Sequence, residues 1–188
     1  MPLSRRAFIL GTGAALLVAG CSREGTVSAA PVDFLGPKRQ PGDPLYSVES
    51  KAYLTAFEPE LLSAARTKYA ADLYATCRSG VVALHDRCPF DRVRVSYCPG
   101  EQGYGCPSCS SIFNRIGEVL GGASMRGLDH ITISLDSSGQ VVLDSKHRVD
   151  GPPRGTVLVA VDDAGQTALV KACLSGNSID PTKPGPVS

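Results

Sequence analysis

The amino-acid sequence predicts an all-β fold, a small antiparallel sandwich or barrel. Two observations carry this. Glycine (20) and proline (14) together make up about 18% of the 188 residues, against roughly 12% in an average chain. From residue 72 onward the apolar residues come in short, β-branched-rich runs separated by turn signals, the texture of antiparallel strands rather than of long amphipathic helices. The length accommodates one domain with tails. Beyond the two arginines of the first 21 residues the chain carries 17 basic and 18 acidic side chains. That balance excludes a strongly basic nucleic-acid binder and gives no reason to expect an acidic substrate.

The N-terminus addresses the chain. Ser4-Arg5-Arg6-Ala7-Phe8-Ile9-Leu10 and the uncharged run Ala14 to Ala19 resemble a twin-arginine export signal. The run is shorter than the ~20 apolar residues that span a bilayer. Val18-Ala19-Gly20-Cys21 resembles a bacterial lipobox, which implies cleavage before Cys21 and lipidation of its sulfur. Residues 1–21 thus read as a lipoprotein signal, and the remainder as tethered to the extracytoplasmic face of the bacterial cytoplasmic membrane. More than one acyl chain makes such anchoring stable. Residues 22–57, with Pro31, Pro37, Pro41 and Pro44, read as a flexible linker.

The folded domain is expected over 58–175. Residues 60–71 predict one short helix, with Pro59 at its first turn and Glu58 and Glu60 near its positive end. Strands are expected at Leu73-Tyr74-Ala75, Val81 to Leu84, Val93-Arg94-Val95, Ile131 to Leu135 and Val141-Val142-Leu143. Turns follow at Arg78-Ser79-Gly80, Asp136 to Gly139, Asp150 to Pro153 and Asp162 to Gly165. Val157 to Val161 and Ala168 to Cys173 read as a last hairpin. The tail, 176–188, with Pro181, Pro184 and Pro186, reads as disordered.

Seven cysteines demand an explanation. With Cys21 as the lipid site, six remain, and in an oxidising compartment disulfides are the default. Cys77 and Cys173, on expected strands, are paired most simply with each other. The other four lie in two loops: Cys88-Pro89-Phe90, then Cys98, then Cys106-Pro107-Ser108-Cys109-Ser110-Ser111, followed by Gly117, Gly121, Gly122 and Gly127. With Gly80 to Cys88, Phe113 to Glu118 and Gly121 to Asp129, this stretch resembles the Rieske iron–sulfur proteins. The likeness is to the iron–sulfur subunit of bacterial cytochrome bc-type quinol oxidases, over about residues 72–155. It implies a Rieske-type fold with a cluster-loop subdomain and a membrane electron-transport complex, respiratory or photosynthetic, as partner. A Rieske-type oxygenase is not expected, because those chains carry a separate iron domain for which this length leaves no room.

The ligand positions depart from the family. A Rieske [2Fe–2S] centre takes two cysteines and two histidines. Cys88 and Cys106 match the cysteines, but Phe90 and Cys109 stand where the histidines belong. The family's loop disulfide falls on Val93 and Ser108, and Arg92 and Val93 replace its Gly-Cys. Three states follow for the loops. The cluster is lost and Cys88 pairs with Cys106 and Cys98 with Cys109; all four thiolates hold a [2Fe–2S] cluster of lower potential than a Rieske centre; or the four bind zinc, with Cys106-x-x-Cys109 as one knuckle. The first leads, so no cofactor is favoured. His85 reads as an ordinary residue at a strand end, His130 and His147 as surface residues, and Asp91 as a solvated loop carboxylate. Ser111 matches the family serine that hydrogen-bonds the cluster sulfur. Phe90 and Tyr104 are expected to cover the loop tips. No Ser-His-Asp set or phosphate loop is present. The functional expectation is a degenerate Rieske subunit, structural or accessory in a cytochrome bc-type complex and not catalytic by itself. The alternative is a one-electron carrier with a cysteine-ligated cluster.

Overall fold

The computed structural model describes residues 43–99, 101–137 and 140–174. Cys21, the export signal, most of the expected linker and the tail lie outside these residues. The described chain is all-β, with nine strands in two antiparallel sheets. The first five strands in sequence are β1 (Leu45–Ser47), β2 (Ala52–Ala56), β3 (Val81–His85), β4 (Ser96–Cys98) and β5 (Gly103–Gly105). Then come β6 (Ile112–Phe113), β7 (Val119–Gly121), β8 (His130–Leu135) and β9 (Val141–Val149). One sheet has the order β1-β2-β3-β8-β9 and the other β4-β5-β6-β7. Among the described residues no helix is long and apolar enough to cross a membrane.

Strand alternation builds two cores from one sheet. Tyr53 of β2 and Val82 and Leu84 of β3 face the four-stranded sheet, where they meet Val95, Tyr97, Tyr104, Phe113 and Val119. Their neighbours Ala52, Leu54, Val81 and Ala83 point the other way and pack with Ile131, Val141 and Leu143. Period-two alternation requires this split, and residues apolar on both faces mark strands buried on both sides. The β8–β9 register steps from Arg148 opposite Ile131 to Asp144 opposite Thr132, a bulge that bends the ribbon.

Several expected elements are corrected. Residues 45–56, placed in the flexible linker, form β1 and β2, and β2 pairs along its whole length with β3. The helix expected over 60–71 is a 3-10 turn (Pro59–Leu61) leading into α1 (Leu62–Lys68), which ends where Tyr69 turns extended. Leu73-Tyr74-Ala75 is not a strand but the middle of α2 (Ala71–Cys77), whose Leu73, Thr76 and Cys77 are buried at helical spacing. Val93-Arg94-Val95 contributes only an isolated bridge, Arg94 to Arg87. The last hairpin is replaced by an irregular segment with bends at Leu158 and Val159 and by α3 (Asp163–Leu174). Asp162 starts α3 by accepting the Gly165 N–H at 2.7 Å, an N-cap that satisfies one orphan donor. Leu169 and Cys173, one turn apart, are buried against the four-stranded sheet.

Glu118, fully buried, ties these parts together. Its carboxylate accepts from the Tyr69 hydroxyl (2.6 Å), the Asn114 side-chain amide (2.6 Å) and the Leu158 and Val159 N–H groups (2.8 and 3.1 Å). A buried charge is tolerable only with such a full set of donors. His130, expected at the surface, is also buried, with Nδ1 2.8 Å from Thr76 Oγ1. His147 is exposed, as expected.

Two predictions follow from these buried groups. Glu118→Ala strands buried donors and is expected to cost about 3 kcal/mol or more, whereas Tyr69→Phe removes one charge-assisted bond and should cost about 1–3 kcal/mol; urea unfolding of both variants measures this. Burial, with the Arg148 charge adding to it at His85, lowers the pKa of His85 and of His130 from 6.5 to about 4. The unfolded chain then binds more protons between those values. Stability is full above pH 6.5 and falls as pH drops towards 4. In an imidazole NMR titration both rings should remain neutral at about pH 5.5.

Candidate metal centre

Two turns of the same construction form the site. The first links β3 to β4, the second β5 to β6. In the first, the Cys88 N–H bonds the Val93 carbonyl and the Arg92 N–H returns to the Cys88 carbonyl, both at 2.9 Å. In the second, the Cys106 N–H bonds the Ser111 carbonyl (2.8 Å) and the Ser110 N–H returns to the Cys106 carbonyl (3.0 Å). Arg92 and Ser110, four residues after the leading cysteine, both adopt left-handed backbone, φ 63° and 55°. In each turn the N–H groups two and three residues on, Phe90 and Asp91 or Ser108 and Cys109, donate towards the leading sulfur. Each turn is therefore a knuckle with its third following residue aimed inward: Asp91 in the first, Cys109 in the second.

The two knuckles face each other. Cys88 Sγ lies 3.5 Å from Cys109 Sγ. Cys106 Sγ lies 3.4 and 3.5 Å from the Asp91 carboxylate oxygens. One ligand atom from each of Cys88, Asp91, Cys106 and Cys109 falls within 4.8 Å of all the others. Cys88 and Cys106 are buried; Asp91 and Cys109 are partly so.

Outer contacts hold this arrangement. Ser111 Oγ is 3.0 Å from Cys109 Sγ and accepts the Ser124 N–H at 2.9 Å. The Arg154 guanidinium donates to the Gly122 and Ser124 carbonyls, clamping the segment that backs the second knuckle. Gly122, at φ 83°, lies so close to the Ser110–Ser111 backbone that any Cβ would collide with it.

Burial pushes the Cys88 and Cys106 thiols up, opposed by the backbone donors of each knuckle. At Asp91 desolvation acts upward, but hydrogen bonds from the Val93 N–H, Ser108 and the two thiols prevail and hold the carboxyl below its usual range. An ionised carboxylate beside two buried thiols and a partly buried one is a donor set suited to positive charge.

The structure redraws the cysteine assignments. Cys98 is bonded to Cys173, Cα to Cα 5.3 Å, joining β4 to α3 across 75 residues of sequence. The pairings Cys98–Cys109 and Cys77–Cys173 are thereby excluded, and Cys98 is withdrawn from any four-cysteine metal set. Cys77 is free and buried on α2, its thiol raised to about 12 by desolvation. Cys88 and Cys106 are free rather than bonded to each other. Asp91, read as solvated, takes the place of Cys98. Tyr104 is not at a loop tip but fully buried on β5 between Tyr53 and Tyr97. Phe90 does lie at a tip, 61% exposed.

The donors do not fit the centre implied by the resemblance. No histidine is among the converging atoms, and a Rieske centre needs two imidazoles on one iron. An all-cysteine cluster needs a fourth thiolate, and Cys98 is spent. No family model and no curated protein matches the chain. The repeated spacing Cys88-Pro89-x-Asp91 and Cys106-Pro107-x-Cys109 is the signal in the sequence that could have identified Asp91.

Non-reducing peptide mapping of the unfolded protein after alkylation should find Cys98 and Cys173 linked and Cys77, Cys88, Cys106 and Cys109 carrying the label. A link between Cys98 and Cys109 would contradict the structure.

Proposed function

We propose that this chain is a Rieske-type domain that has kept its scaffold and lost its redox centre. It acts as a structural or accessory component of a membrane electron-transport complex of the cytochrome bc type, outside the cytoplasm. The observation that carries the reading is Phe90. It occupies the place of the first imidazole ligand, offers no lone pair to iron, and turns its ring to solvent. Supporting it, the knuckles juxtapose Cys88 and Cys106, as a cluster-loop pair would, in a chain whose first 21 residues resemble an export and lipidation signal.

What the domain offers instead of an electron is a surface. Phe90 on the first knuckle and Met125, next to the Ser124 that backs the second, are both largely exposed, 61% and 71%. Apolar side chains at such tips suit a standing contact with a partner subunit. The carrier reading, with a cysteine-ligated [2Fe–2S] cluster, loses ground because the Cys98–Cys173 bond removes one of its four ligands.

The protein purified anaerobically from its native membrane should contain no acid-labile sulfide and give no electron paramagnetic resonance signal on reduction. In mild detergent it should co-purify with quinol-oxidising subunits, and Phe90→Asp should weaken that association without unfolding the domain. A reducible two-iron signal would overturn the proposal, as would complete independence from any such complex.

A further inference from the structure

We propose that Cys88, Asp91, Cys106 and Cys109 bind a single zinc ion, a Cys3Asp site that clips the β3–β4 turn to the β5–β6 turn. Four observations support one ion rather than a two-iron cluster. First, all four donor atoms lie within 4.8 Å of one another. Around one tetrahedral zinc, with Zn–S bonds near 2.3 Å, neighbouring sulfurs sit about 3.8 Å apart and a carboxylate oxygen somewhat closer to each sulfur. The observed Cys88–Cys109 and Cys106–Asp91 separations, 3.5 and 3.4 Å, are edges of that size. A two-iron core needs its second ligand pair displaced by the width of the Fe2S2 unit, which this group does not provide.

Second, the two knuckles are equivalent in hydrogen bonding and backbone handedness, so the four donors arrive as two pairs, as a closed tetrahedral site requires. Third, backbone N–H groups aim at the Cys88 and Cys106 sulfurs, and Ser111 Oγ lies beside Cys109 Sγ. Such donors stabilise thiolates and orient them, the outer-shell support that metal sites use. Fourth, the donor set is three soft sulfurs and one hard oxygen, with no position left open. That composition favours zinc over magnesium or calcium, and marks a structural rather than a catalytic site.

Binding exchanges three thiol protons for one divalent cation and leaves the Asp91 carboxylate as the fourth donor, so it needs neither oxidant nor reductant. The clip would take the mechanical place of the iron–sulfur cluster: it joins two turns that otherwise meet only through side chains. The inference stands on the knuckle geometry and does not depend on membership of a membrane complex.

The test is metal analysis and cobalt substitution on the full chain. As isolated, the protein should hold one zinc per chain that survives dialysis, and a chelator should lower its melting temperature. Cobalt(II) alone, added to the stripped and reduced protein, should give the spectrum of tetrahedral thiolate coordination. Changes to outer-shell groups alone cost roughly 10–100-fold in affinity, so Cys109→Ser should weaken cobalt binding by more than about 100-fold. Asp91→Ala should weaken it as well. Asp91→Cys should keep it and strengthen the sulfur-to-cobalt charge-transfer band by about a third, because a fourth thiolate joins three. Removing the disulfide with Cys98→Ser and Cys173→Ser should leave the cobalt spectrum unchanged. The zinc site is overturned by a Cys88–Cys109 or Cys88–Cys106 disulfide in the exported protein, by metal-free protein with unreactive cobalt, or by Asp91→Cys failing to alter the spectrum. Those outcomes leave the accessory-subunit reading intact, whereas two irons with labile sulfide would overturn both.

Discussion

The bond between Cys98 and Cys173 organises both the architecture and the chemistry of this domain. It closes a loop spanning 75 residues and docks α3 on the four-stranded sheet, where Cys98, Leu169 and Cys173 form a small core of their own. Glycines make this close approach feasible. A Cβ on Gly103 would run into Leu169 and the Phe113 carbonyl, and one on Gly105 would run into Cys173. The same bond takes Cys98 away from the two knuckles. The donor set is thereby reduced to three thiols and Asp91, and that set decides which metals the site can hold.

Beside this covalent tie a buried hydrogen-bond network centres on Glu118. Glu118 joins the end of α1, the turn after β6 and the 158–159 segment through one carboxylate. The Asn114 side-chain oxygen Oδ1 accepts the Ile116 and Glu118 N–H groups and shapes the same turn from within. This turn follows the short strand β6 that leaves the second knuckle, so buried groups away from the sulfurs fix the strand on which that knuckle is built. Arg154 and Ser111 extend that support to the loop behind Cys109.

On the proposed Rieske reading, a scaffold that keeps its turns while its ligands change is physically straightforward. The knuckle backbone needs only a leading cysteine, inward N–H groups and a left-handed residue four positions later. Which side chains sit at the second and third positions after the cysteine decides between imidazole, thiolate, carboxylate or no ligand at all. Phe90 and Asp91 show both outcomes side by side: one turns outward as an apolar surface, the other inward as a donor. Function is in this way separable from fold at the resolution of two residues.

The sequence by itself determined the all-β class, the leading cysteines of the two turns and the exposed position of His147. These are local properties: strand periodicity, turn residues and the chemistry of single side chains. Only the tertiary structure decided the rest. Residues 71–77 and 163–174 are helices because their buried faces, Leu73, Thr76 and Cys77 in one and Leu169 and Cys173 in the other, follow helical spacing against sheets that a linear reading does not supply. Residues 52–56 form a strand because β3 offers them a partner edge, and residues 45–47 because β2 in turn offers them one. The cysteine pairing and the recruitment of Asp91 depend on through-space distances between segments far apart in the chain. Six cysteines allow 15 pairings, and spacing along the chain carries no term for which of them are near. Packing does, and it placed a carboxylate where a fourth thiol was expected.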